Sequence, residues 1–299
     1  MSKNAKIITL IVLLVLLVAG LLSFMVFAIT KNSFNFNFKP IVINETTSTK
    51  IIKEEVYENN FNSISIKSDA ADIEVLESED DKIKLVIYSD EDDQKINISN
   101  DEDLDISIKN KRQIRFFSFN FKNSKIVLYL PESYEKEFDI ESDYGNIKVA
   151  EFANLKLNVE SDCGNIKVAK VDDLKVKSDC GNIIVDEANK INIDSDCGNV
   201  EIDRVNYVKI KNDLGNTEIE NVNEYVNITS DCGNIDIKNM TLIKNSRIKN
   251  DVGDVSIENV SNVFIDAKAD VGEVSIEDNM RSAEITLTIE NDLGNIEVN

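Results

Sequence analysis

The chain has no histidine and no tryptophan, and only two prolines among 299 residues. Without histidine it lacks the side chain that most often moves protons near neutral pH and most often ligates metals. Pro40 and Pro131 both precede the regular part of the sequence, where paired strand interiors could not use them. Glycine is scarce and confined: apart from Gly20, all nine glycines sit in one repeated phrase. Positive charge is also short, with 33 basic against 55 acidic residues and a net charge of −22. Residues 1–30 hold two lysines and no acid, so the remainder carries −24. Such a balance argues against nucleic acid and against anionic lipid surfaces as partners. It fits a solvated, soluble exterior, or attraction to cations or a basic partner.

The repeated phrase first reads Ser142-Asp143-Tyr144-Gly145-Asn146-Ile147 and last reads Asn291-Asp292-Leu293-Gly294-Asn295-Ile296. Its glycines fall at 145, 164, 181, 198, 215, 233, 253, 272 and 294, with Asp two places earlier each time. A fixed turn recurring every 17 to 22 residues is the mark of a solenoid. In one unit Leu174, Val176, Ser178 and Cys180 alternate before the turn, and Ile183 and Val185 alternate after it. The period of two on both sides predicts strand, corner, strand. Glycine is expected because the third position of a type II turn needs positive φ. A second, variable turn is expected over Asp186 to Lys190. No such coil can bury its apolar face alone, so the coils should stack at about 4.8 Å around a shared Ile, Val and Leu core. The expected fold is all-β: a single-stranded parallel β-solenoid, right-handed by the crossover rule, about 40 Å long over nine coils.

Residues 7–30 are apolar and free of charge, long enough to span a bilayer as a single N-terminal transmembrane helix. Lys3 and Lys6 precede the span and favour a cytoplasmic N-terminus. The rival is a cleaved signal peptide, but the apolar run is too long for one and Ala28-Ile29-Thr30 is a poor cleavage site. The expected partner of residues 7–30 is therefore the plasma membrane, with everything from Lys31 outside the cell. Four regions follow: head and anchor over 1–30, a juxtamembrane tether over 31–58, irregular first coils over 59–140, and the regular array over 141–299. Phe34, Phe36 and Phe38 alternate with Asn, and a similar run returns at Phe117, Phe119 and Phe121. The first run fits lipid headgroups or a half-buried strand; the second fits a strand. Ser68-Asp69-Ala70-Ala71-Asp72-Ile73 reads as a degenerate copy of the phrase with Ala71 in the glycine slot.

From about Phe61 to Asn299 the chain resembles the bacterial adhesin-like family called domain of unknown function 4097. The residues that carry the likeness are FNSISIKSDAADIEV, then DLDISI, then KIVLYLP, then the array of S-D-x-G-N-I-x-V. The resemblance implies a β-solenoid ectodomain at the cell envelope, often tethered by an N-terminal span. Some relatives are similar to accessory proteins of envelope-stress systems. The family offers no catalytic residue to carry over.

Among the chemistries weighed, the Asp ladder is the most tempting. Stacked carboxylates repel, and either hydrogen bonds from each turn's own N–H groups or a bound calcium would offset that. The Asn slot is expected to stack side-chain amides, with Asp254 and Glu273 as weakening interruptions. Cys163, Cys180, Cys197 and Cys232 share a slot that elsewhere holds Tyr, Leu or Val, so a half-buried or core ladder of free, slowly reacting thiols is expected, with Cys163–Cys180 or Cys180–Cys197 within bridging range. No acid pair breaks the monotony of the repeat as a glycosidase site would. The expectation is thus a non-enzymatic envelope binding or scaffold protein, with no catalytic, metal or cofactor residues. An accessory role in envelope-stress signalling is the alternative, and a polysaccharide-acting β-helix enzyme a minor one. The partner is expected to be an envelope protein or wall component, seated at a last coil left open where the chain stops at Glu297-Val298-Asn299.

Overall fold

The computed structural model describes residues 50–90, 94–109, 124–261, 263–277 and 279–299. The apolar span over 7–30 and both phenylalanine runs lie outside these residues. Among the described residues no helix is long and apolar enough to cross a membrane. All the regular structure described is β.

The irregular first part forms β1 (Ile51–Glu58), β2 (Ser63–Ser68), β3 (Asp72–Glu77), β4 (Lys82–Ser89), β5 (Lys95–Asn100), β6 (Leu104–Lys109) and β7 (Ser124–Leu130). The array begins with β8 (Glu137–Tyr144), β9 (Ile147–Glu151) and β10 (Lys156–Cys163). Four long strands follow: β11 (Ile166–Cys180), β12 (Ile183–Cys197), β13 (Val200–Leu214) and β14 (Thr217–Cys232). The last part holds β15 (Ile235–Thr241), β16 (Ser246–Val252), β17 (Val255–Ile257), β18 (Val260–Ser261), β19 (Val263–Val271), β20 (Val274–Ile276), β21 (Ile285–Leu293) and β22 (Ile296–Val298).

Each strand of the array pairs in parallel, in register, with its equivalent in the next coil: Leu157 with Leu174, Leu174 with Ile191, Ile191 with Val208. Alternation then sends one side of every strand into a common core. In β12 these are Ile183, Val185, Ala188, Ile191, Ile193 and Ser195, all buried. The turn expected over Asp186–Lys190 is not a loop. The strand runs through it from one glycine corner to the next, bending where Val171, Ala188, Val205 and Val222 stack inward. The extra residue of β14 is absorbed by a register shift between Val205 and Tyr207.

Two departures from a simple parallel solenoid occur at its ends. At the start, β4 runs antiparallel to β7 and β1 antiparallel to β4, while β5 runs antiparallel to β6. Ile51–Glu58, expected within the tether, is thus a strand of this end sheet, and its Lys53, Glu54, Glu55 and Glu58 charge the edge, as exposed edges require. The second departure is the order of coils. The first coil in sequence (β2, β3) pairs with β8 and β9 on one side and with β6 and β7 on the other. It therefore lies inside the second coil. At the far end β21 pairs with both β16 and β19, and β22 with both β17 and β20. The last coil in sequence is tucked between the two before it. The open coil is β19–β20, not the chain's final residues, which corrects the expectation of a bare last coil at Glu297–Asn299.

Candidate functional site

The corner explains why the phrase is so constant. Gly181 has φ +146°, a region closed to side chains, and a Cβ there would lie 2.0 Å from the Gly164 carbonyl oxygen of the preceding coil. This φ is far from the type II value of about +80°. Glycine is required by close stacking as well as by conformation. Three turn N–H groups go to neighbouring coils. Gly164 donates to the Cys180 carbonyl at 3.0 Å, and Ile166 to the Asn182 carbonyl at 2.9 Å. The Asn182 N–H donates to Asn165 Oδ1 at 3.1 Å.

That last bond repeats along the whole stack and traces its order. It starts at Asp72, whose Oδ1 accepts from the Asn146 N–H at 2.8 Å. It continues through Asn234, which accepts from Asp254 N–H at 3.0 Å; Asp254, which accepts from Asn295 N–H at 2.7 Å; and Asn295, which accepts from Glu273 N–H at 3.1 Å. The Asn slot is therefore a backbone-to-side-chain ladder more than an amide stack. Asp254 does not interrupt it, since a carboxylate accepts as well as an amide. Glu273 stands on the outermost described coil, where its N–H is donated and no further described coil offers an N–H to accept.

With those N–H groups committed between coils, the Asp slot does not serve as the turn's own acceptor as expected. Asp162, Asp179, Asp196, Asp231 and Asp292 point to solvent. Lysines two residues earlier meet three others: Lys211–Asp213 at 2.7 Å, Lys249–Asp251 and Lys268–Asp270 at 2.5 Å. Among the described residues, no three His, Cys, Asp or Glu side chains gather as a metal site.

One position before each Asp lies a feature the sequence reading passed over. Ser142, Ser161, Ser178, Ser195, Asn212, Ser230, Asn250 and Asn291 form a polar file inside the core, each buried. The asparagines reach glycine carbonyls: Asn250 Nδ2 donates to Gly233 O at 3.1 Å and Asn291 Nδ2 to Gly253 O at 2.9 Å. The signal was present, because Asn occurs where Leu or Val precedes the glycine and Ser where Cys or Tyr does. The outermost coil carries Ala269 there instead.

The cysteine slot is a half-open corner rather than a core ladder. Cys163, Cys180 and Cys197 are half-buried, Leu214 is 43% exposed, and only Cys232 is buried. All four are free thiols.

The outer faces carry matched charges, as between Lys67 and Glu141 at 2.6 Å and Lys177 and Glu160 at 2.8 Å. Both pairs line a shallow groove over β2, β8, β10, β11 and β12 of about 550 Å³. The open coil is different. Val271 is 58% and Val274 42% exposed there, and Met280 lies bare in the loop that follows. The Asn279 side chain both donates to and accepts from the Ile265 backbone, at 2.9 and 3.0 Å, taking the place of a neighbouring strand at that residue.

Stacked glycine corners, an asparagine ladder and one continuous core define a β-solenoid built from a single repeated coil. Residues 61–299 match the family model described as Toastrack DUF4097, and the chain belongs to that family. Three solved crystal structures are similar to it. One, from Bacteroides fragilis NCTC 9343 and described as a "putative adhesin", shares 17% identity at a TM-score of 0.42, covering 86% of this chain and 100% of that one. A "putative adhesin" from Parabacteroides merdae ATCC 43184 shares 14% identity at 0.35, covering 86% and 98%. A "putative lipid binding protein" from Parabacteroides distasonis ATCC 8503 shares 14% at 0.38, covering 83% and 96%. No curated protein matches.

Proposed function

We propose that this chain is a membrane-anchored, extracytoplasmic, non-enzymatic binding or scaffold protein of the cell envelope. Residues 7–30 hold it in the plasma membrane with the N-terminus cytoplasmic, and the solenoid presents its open coil to a protein partner. The observation that carries this reading is the inequality of the two ends. The end where β1 enters is finished by antiparallel strands that mix charges with exposed Ile51 and Val56, whereas the parallel coil β19–β20 pairs with no outer strand among the described residues and exposes Val271 and Val274. An unpaired edge with apolar side chains accepts an added strand. The −24 charge outside the span disfavours a second copy and favours an envelope protein of complementary charge. The regular flanks, with charges matched coil to coil, serve as the rigid stem.

The test is crosslinking on intact cells followed by purification, comparing the natural chain with a Val271→Lys, Val274→Lys variant. The reading expects a captured envelope protein linked through residues 263–284 and lost in the variant. Capture that survives the variant, or crosslinks confined to the flanks, would overturn the docking end. External protease on wall-stripped cells tests the topology separately: digestion of the solenoid supports it, and full protection contradicts it.

A further inference from the structure

Cys163, Cys180 and Cys197 stand in one file on three consecutive coils. Cys163 and Cys180 are Cα partners in the parallel ladder. Gly164 N–H reaches the Cys180 carbonyl at 3.0 Å and Gly181 N–H the Cys197 carbonyl at 2.9 Å, so both steps stack alike. Adjacent strands lie about 4.8 Å apart, inside the Cα window of about 4.4–6.8 Å for a disulfide; two coils, at about 9.6 Å, lie outside it. Cys163 and Cys197 thus flank Cys180, one on each neighbouring coil. All three are half-buried at the outer corner. Cys232 is buried, and Leu214 fills the coil between it and Cys197.

We propose that this file is a thiol–disulfide exchange site with Cys180 as the shared central thiol and a small disulfide as its substrate. Cys180 gives its proton to solvent, and its thiolate attacks one sulfur of the small disulfide. The S–S bond breaks, one thiolate leaves and takes a proton, and Cys180 holds the other half as a mixed disulfide. The thiolate of Cys163 or Cys197 then attacks the Cys180 sulfur and expels the second half. Two protein thiols are oxidised and one small disulfide is reduced to two thiols. One thiol remains beside the new bridge. Its attack on Cys180 moves the bridge one coil along with no net oxidation.

The experiment treats the reduced full-length chain with one equivalent of 2-hydroxyethyl disulfide and maps cysteines by tryptic mass spectrometry. Cleavage at lysines and Arg204 puts Cys163, Cys180 and Cys197 on the separate peptides 157–167, 178–190 and 191–204. One bridge per molecule is expected, joining 178–190 to either neighbour, with the third thiol and Cys232 free. The Cys180→Ser variant should form no bridge. A Cys163→Ser, Cys197→Ser variant, which keeps Cys180, should stop at the mixed disulfide. A 163–197 bridge, a bridge in Cys180→Ser, an unresolved mixed disulfide in the natural chain, or three unreacted thiols would each overturn the proposal.

Discussion

At the amino-terminal end the tucked coil is gripped from both sides: Glu74 on β3 meets Lys125 of β7 at 2.6 Å and Lys148 of β9 at 3.5 Å. At the carboxy-terminal end the tucked coil has, among the described residues, one such tie, Arg247 of β16 to Glu290 of β21 at 2.6 Å. Beyond the tucked coil the first end adds β6 and β7 and then β4, β1 and β5, while among the described residues the second stops at β19 and β20. Both ends hide the coil nearest the chain terminus beneath its sequence neighbour. A sequential stack would leave each terminal coil free to peel, so the exchange holds both with strands on either side. The ends differ in their outermost layer, which is antiparallel at the first end and parallel at the second.

The contrast breaks most sharply at the glycines. Gly181→Ala, in mid-stack, forces a Cβ against the Gly164 carbonyl. It should destabilise the whole solenoid by about 4 kcal/mol or more in denaturant unfolding. Gly272→Ala meets a similar clash with Gly294 but sits on the outermost coil, so it should release β19–β20 and leave the main transition in place. Core truncation sharpens the same contrast. Ile289→Ala in the tucked coil, where the side chain is fully buried, should lose about 2–5 kcal/mol. Ile276→Ala on the open coil should lose clearly less.

The ladder gives a smaller effect. Asn182→Ala strips the acceptor of the Asn199 N–H, a bond of 3.0 Å, and should cost about 1–3 kcal/mol. Asp254→Asn keeps an acceptor and should stay within about 0.5 kcal/mol. The smallest effect is the acid response of the first end. Burial pushes Glu74 up, but Lys125 and then Lys148 outweigh it and hold the carboxyl below its ordinary value. A carboxyl with a depressed folded pKa stabilises above its unfolded value of about 4.3 and loses that contribution as pH falls through the folded one. Glu74→Gln should therefore flatten part of the stability loss below that pH, seen as a shallower acid-unfolding curve.

The repeat, the strands and the core were legible because each follows from local pattern: alternation for strands, one glycine per corner, one polar acceptor after it. The exchanged coil order was not, because stacking in either order satisfies the same alternation and the same register. Its traces were in the sequence all the same. Glu273 fills the Asn slot and Ala269 the buried Ser or Asn slot on the coil that, among the described residues, has no outer neighbour. Glu277–Glu284 is long because the chain must return beneath the coil it has just made. The expectation that Asp served its own turn failed because coil-to-coil bonds had already claimed the N–H groups. The antiparallel strands at the first end lacked the phrase altogether, so nothing in the repeat could place them.

Hydrogen exchange on the isolated full-length chain tests the coil order most directly. If the last coil is tucked, amides of residues 285–298 should be protected to the level of β12 and β13, and those of residues 263–276 should exchange sooner. Slower exchange over 263–276 than over 285–298 would mean that the coils stack in sequence order, and the account of both ends would be contradicted.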